Sequence, residues 1–173
     1  MDTDEHRSKN KKILILGVGN RLRGDDAIGS LITDELKSVN GLSVIDSGSA
    51  PENFIDKILS LAPNRIIIVD ACNFGAEPGK FRLFAERQIE KISSQLLSTH
   101  TLPLSLTVAM IKKQLPCKIQ LLGIQPESIN FGEGLSLRLE AAKNQIVKYL
   151  KDLVKNNEKI NDQVIIKKVE KES

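Results

Sequence analysis

The amino-acid sequence predicts an α/β fold of three layers, a mostly parallel twisted sheet with helices on both faces. Two apolar runs, Lys12-Ile-Leu-Ile-Leu-Gly-Val18 and Arg65-Ile-Ile-Ile-Val-Asp70, are continuous rather than alternating. Strands read that way when both faces are covered, as in the centre of a parallel sheet. Around these runs apolar residues recur at helical spacing, so strands alternate with helices, the pattern of a layered α/β domain. A chain of 173 residues fits one such domain with little left over. The expected organisation is a polar N-terminal arm at 1–11, a single α/β domain over 12–154 and a charged C-terminal tail at 155–173.

The first run is the first strand, closed by glycine. From Asp26 to Lys37, Ile28, Leu31, Ile32 and Leu36 fall at helical spacing, with acids at the start and Lys37 at the end to suit the helix dipole. This is a crossover helix. Leu42 to Asp46 is a short second strand. Ser49-Ala-Pro-Glu52 reads as a capping box, Ser49 as N-cap and Glu52 at N3, opening a helix whose buried stripe is Phe54, Ile55, Ile58 and Leu59. The third strand ends at Asp70, and Asn73 to Gly79 has loop composition. Lys80 to Ala85 adds a strand at the sheet edge. Pro103 to Leu115 is helical, Lys118 to Gly123 is a strand, and a long helix from Ser136 to Val154 repeats apolar residues at Leu139, Ala142, Ile146, Leu150 and Leu153.

Composition removes several classes of function. With no Trp, one Tyr and five Phe, stacking platforms for single-stranded nucleic acid are scarce. The net charge is +3, of which residues 13–154 hold only +1, so no basic footprint for DNA or RNA exists. The N-terminus has no apolar signal core, and no run reaches the ~20 apolar residues of a membrane span. We therefore expect a cytoplasmic protein with neither nucleic-acid nor membrane partners. Cys72 and Cys117 are too few for a disulfide framework and read as reduced thiols.

In sheets of this kind ligands bind beyond the carboxyl ends of the strands, which directs attention to the loops after Val18 and Val69. The loop Gly17-Val-Gly-Asn-Arg-Leu-Arg-Gly-Asp-Asp26 begins like a dinucleotide fingerprint, and Asp46 could imitate its ribose-binding acid. Leu22, however, stands at the sixth position in place of glycine, and two acids occupy the turn where pyrophosphate would meet a helix N-terminus. Asp25 or Asp26 alone reads as helix capping, and Asp70 alone as a turn former. Taken together, Asp26 and Asp70 can converge, because adjacent parallel strands are only ~4.8 Å apart. As loop or strand-end acids they are expected to be exposed and to contribute little to the core.

Of the two histidines, His6 lies in the polar arm and His100 lies just before an apolar helix. His100 alone reads as a hydrogen-bonded loop residue, yet two carboxylates and one imidazole in one crevice suit a divalent metal with open coordination positions. There is no HExxH, no GxSxG and no serine on a strand-to-helix elbow, and one histidine cannot build a three-histidine zinc centre. Cys72 could pair with His100 as a thiol nucleophile, against the plainer reading of a buried structural thiol.

Gly17-Val-Gly-Asn20 followed by Gly24-Asp-Asp26, Val69-Asp-Ala71, and Thr99-His100 with Leu104 beyond it together resemble the hydrogenase maturation endopeptidases. Proteins of that family remove a C-terminal extension from the precursor of a nickel-iron hydrogenase large subunit. The stretches Asp46 to Asn53, Thr99 to Leu104 and Gly123 to Pro126 look most like the hydrogenase 3 branch, and the resemblance runs from Lys12 to Val154. It implies that Asp26, Asp70 and His100 form the site, as catalytic residues and as metal ligands, with Asp25 unassigned. It also implies an aspartyl-type endopeptidase whose nickel is supplied by the substrate, in a site that other divalent ions can also occupy. The implied partner is the nickel-loaded large-subunit precursor. Two routes of attack stay open: a metal-activated water with one carboxylate as general base, or nickel that only positions the substrate. The rival reading is a module that binds the nickel-loaded precursor, or a nucleotide, without cleaving.

Overall fold

The computed structural model of the chain describes residues 12–95 and 104–156. The arm at 1–11, His100 and the tail beyond Asn156 lie outside the described residues. Among those described, five strands form one sheet: β1 (Ile13–Gly17), β2 (Ser43–Asp46), β3 (Arg65–Ala71), β4 (Phe81–Ala85) and β5 (Lys118–Ile124). Their order is β2-β1-β3-β5-β4, with all pairs parallel except β4, which runs antiparallel to β5 at the edge. The helices are α1 (Ile28–Leu36), α2 (Ile55–Leu61), α3 (Glu86–Gln95), α4 (Leu104–Gln114) and α5 (Leu137–Lys155). The α/β class and the parallel sheet are as the sequence predicts.

The continuous apolar runs divide by parity, because successive side chains leave a strand on opposite faces. Ile13 and Ile15 of β1 and Ile67 and Val69 of β3 share a core with Ile28, Ile32 and Leu36 of α1 and Leu139, Ile146 and Leu150 of α5. Leu14, Leu16, Ile66 and Ile68 share the opposite core with Ile55 and Ile58 of α2, Ile89 of α3 and Leu104, Val108 and Ile111 of α4. Both faces of each central strand are thus buried, which is why neither run alternates. Truncating one of these side chains to alanine costs about 2–5 kcal/mol.

Three local features depart from the sequence reading. A 3-10 turn, Gly24–Ala27, precedes α1, so Asp26 lies ahead of the helix proper. The capping box at Ser49 and Glu52 does not form: Ala50 is the entry residue, without a side-chain cap, and leads into a 3-10 turn, Pro51–Phe54. Proline keeps the residue before it out of the helical region, and Ala50 has φ −133° and ψ 68°. The entry point therefore moves one residue past Ser49. Helix α3 has no counterpart in the reading, because its sequence ERQIEKISSQ holds too few apolar residues to declare a helical stripe. In contrast, α5 starts as expected, with Ser136 Oγ accepting the N–H of Leu139 at 3.4 Å. No helix among the described residues is long and apolar enough to cross a membrane.

Candidate active site

From β1 the chain crosses to β2 on one side, and β3 then joins β1 on the other, so the strand order reverses between β1 and β3. A crevice opens at the carboxyl ends of strands at such a switch point. Gly17 pairs with Val69, and the N–H of Val18 donates to Val69 O at 2.9 Å, which brings the two strand ends level. Asp70 is the next residue of β3. It shares parity with Ile66 and Ile68, so its side chain leaves the sheet on the side of α2 and α4.

Asp26 reaches the same place through the loop after β1. Gly19 has φ 155°, and a Cβ there would collide with the main-chain oxygen of Asp26. The N–H of Asn20 donates to the main-chain oxygen of Asp26 and to its Oδ2, both at 3.1 Å, while Asn20 Oδ1 accepts the N–H of Leu22 at 2.9 Å. The loop so closes on itself, and the 3-10 turn carrying Asp26 packs against β3. Gly29 completes the approach, since a Cβ there would overlap the carbonyl oxygens of Val18 and Val69. Only a residue without a side chain lets α1 settle this close to the ends of β1 and β3.

The structure therefore places Asp26 and Asp70 at the ends of neighbouring strands, but not as exposed acids. They are 4% and 5% exposed. His100 lies outside the described residues, and α4, the next helix along the chain, begins at Leu104 on the face toward which Asp70 points. Among the described residues no three His, Cys, Asp or Glu side chains gather as a metal-binding group.

Asp25, next to Asp26, does something else. Its fully buried carboxylate accepts the backbone N–H groups of Glu127 at 2.7 Å, Ser128 at 3.0 Å and Ser136 at 2.7 Å. Instead of capping a helix it clasps the segment leading into α5 onto the first loop. The motif Gly123 to Pro126 has a related use: Gln125 Oε1 accepts the N–H of Phe74 at 2.9 Å and of Ala76 at 3.2 Å, bracing the loop after β3. Sequence reasoning does not find these long-range braces; the motif around Gln125 is the one signal that marks them.

Two other candidates fall away. Cys72 is buried, and that burial, with the Asp70 carboxylate nearby, pushes its thiol far above the ordinary range, so the thiolate needed for attack is suppressed. Asp46 accepts Arg21 Nη2 at 2.7 Å, Ser30 Oγ at 2.7 Å and the N–H of Gly48 at 3.1 Å. Burial works against its ionised form, but these partners outweigh it and hold the carboxyl below the usual range. Its acceptor capacity is used within the fold rather than turned toward a ribose.

Comparison with known proteins agrees with this architecture. The family model for "hydrogenase maturation protease" matches residues 27–156. The hydrogenase 3 maturation protease of Escherichia coli K12 is 36% identical over 120 residues, covering 68% of this chain and 75% of that protein. The crystal structure of a nickel-iron hydrogenase maturation protease, HycI, from Thermococcus kodakarensis KOD1 superposes with a TM-score of 0.75 at 32% identity, covering 84% of this chain and 94% of that one. The solution structure of the endopeptidase HycI from Escherichia coli gives a TM-score of 0.73 at 31% identity, covering 82% and 90%.

Proposed function

The chain belongs to the hydrogenase maturation proteases, endopeptidases of the hydrogenase 3 type, and from that premise we propose that it removes the C-terminal extension of a nickel-loaded nickel-iron hydrogenase large-subunit precursor. In this reading Asp26, Asp70 and His100 grip the nickel that the substrate brings with it. The observation that carries the proposal is the pair of buried carboxylates, Asp26 and Asp70, at the switch point between β1 and β3. Burying two acids is costly unless hydrogen bonds or a cation offset the lost hydration, and a divalent ion in the crevice would serve both at once. With the ion held there, the C-terminal peptide bond comes within reach, and one carboxylate takes the proton of the attacking water. A donor set of two oxygens and one imidazole, without thiolates, suits a passing grip on nickel that remains bound in the substrate. The internal use of Asp46 weighs against the nucleotide-binding alternative.

Intact-mass spectrometry of the precursor tests this. Wild-type protein should produce one mass loss at the C-terminus. Asp26→Asn, Asp70→Asn and His100→Gln should each slow it by at least about 100-fold, the scale of a lost acid or base. Cys72→Ala should stay within about twofold of wild type, given its suppressed thiolate. Parent-like cleavage by either aspartate variant would discard the site, and loss of activity in a stably folded Cys72→Ala would restore the thiol mechanism.

A further inference from the structure

Leu22 stands where a dinucleotide fingerprint would need glycine, and neither the fold nor the site has used it. Five large apolar side chains are exposed among the described residues, and three of them are Leu22 at 60%, Phe131 at 76% and Leu137 at 88%. Leu22 belongs to the Asp26 loop, Phe131 to the segment that the Asp25 carboxylate clasps onto that loop, and Leu137 directly follows the clasped Ser136. Single exposed apolar residues are ordinary on a protein surface, whereas a group of them beside a site marks a place of contact.

Backbone bonds tie the group together. The N–H of Leu22 donates to Asn20 Oδ1 at 2.9 Å, and its main-chain oxygen accepts the N–H of Gly132, the residue after Phe131, at 2.8 Å. Asn20 also holds Asp26 through its own N–H, so one residue anchors both the acid and Leu22. The N–H of Gly24 donates to Glu133 O at 3.1 Å and that of Asp25 to Ser128 O at 2.8 Å, and a Cβ on Gly24 would come within 2.7 Å of Ser128 O. The first loop and the 127–136 segment are thus one hydrogen-bonded unit, and a surface ordered in advance loses little conformational freedom on binding.

We propose that Leu22, Phe131 and Leu137 form a docking surface beside Asp26 for an apolar patch on the body of the precursor, next to its C-terminal extension. The inference rests on the function proposed above. The occupant follows from continuity: the surface is carried by the loop that holds Asp26, so a protein whose chain reaches that carboxylate lies against it. Its complement is apolar, because three hydrocarbon side chains offer no hydrogen bonds and gain only from removal of their surface from water.

The test uses the full chain with Leu22→Ser, Phe131→Ser and the two together, and Met110→Ser on α4, also exposed, as the control for lost surface apolarity. Equilibrium binding of the nickel-loaded precursor is read on protein carrying Asp70→Asn, so that cutting does not consume the complex, and cleavage is read on the parent chain. Each single loop variant should raise Kd and KM by about 10-fold, the scale of one Leu or Phe side chain buried in a contact, with kcat changed by less than about threefold. The pair should exceed either alone, and Met110→Ser should stay within about twofold. The Tm should move by no more than about 2 °C in any of them, because exposed side chains contribute little to the fold. An unchanged Kd in the pair would overturn the proposal, also where the pair instead dissociates a dimer of this chain in sedimentation. So would an equal effect of Met110→Ser, or a loss of binding that only follows a fall in Tm. A parent chain that binds the precursor without cutting it would instead remove the proposed function, and the docking surface would then be judged on Kd alone.

Discussion

Asp25 and Asp26 are identical side chains on adjacent residues, and the fold sends them to different tasks. Asp25 holds three N–H groups of a segment more than a hundred residues away, whereas Asp26 is held by Asn20 at the crevice. Replacing the buried Asp25 with alanine removes the acceptor of three backbone N–H groups at once, so Asp25→Ala should lose about 3–5 kcal/mol of stability. Asp26→Asn keeps an acceptor oxygen for Asn20 and should lose less than about 1.5 kcal/mol while processing stops. Urea unfolding of both variants measures this, and equal destabilisation would mean that the two acids have not been told apart. Nothing local in the sequence separates them, because the partner of Asp25 is fixed only when β5 and α5 are in place. Asp70 is easier to read, since strand parity and position are visible in the run itself. Its burial is not, because the side of the sheet it leaves by is covered by α2 and α4, which come from distant parts of the chain.

Among the elements, α1 has to be fixed against the first two strands for Asp26 to stay in place. Arg21 does part of this, bridging Asp34 of α1 at 2.8 Å and Asp46 of β2 at 2.7 Å. Asp46 is held below the usual carboxylate range, so its contribution to stability is present above the unfolded value of about 3.9 and is lost as pH falls through the lower folded value. Because the Arg21 side chain is 43% exposed, solvent screens the pair, and Asp46→Asn should lose only about 1 kcal/mol at pH 7. That gap should begin to narrow below about pH 4 and close as the wild-type carboxyl protonates at its lower folded value. Unfolding free energies at pH 7 and pH 3 provide the comparison, and a gap of constant size would contradict the assignment. The strands and the long helix α5 are legible because their apolar patterns are long and regular. Helix α3 is not, because its sequence offers only Ile89 and Ile92 among polar residues, of which Ile89 packs into the core. The Ser49–Glu52 motif misleads for a different reason: its residue types fit a cap, but Pro51 moves the entry point.

For the molecule as a whole, strand order decides where chemistry can occur. The reversal falls between β1 and β3, and Asp26 and Asp70, both buried, follow the carboxyl ends of those two strands. The general rule for parallel sheets makes that edge legible from the sequence alone. The braces through Asp25 and Gln125 depend on the folded chain. A conventional metalloprotease keeps its ion through several protein ligands, commonly with two or more histidines. Here the proposed site has one imidazole and two carboxylates, so the proposed function makes cleavage conditional on a metal that arrives with the substrate. The most direct test uses chelator-treated protein and one precursor in two forms, with and without inserted nickel, followed by intact-mass spectrometry. The account predicts a single C-terminal cut in the nickel-loaded precursor and none in the nickel-free form; equal cleavage of both would contradict it.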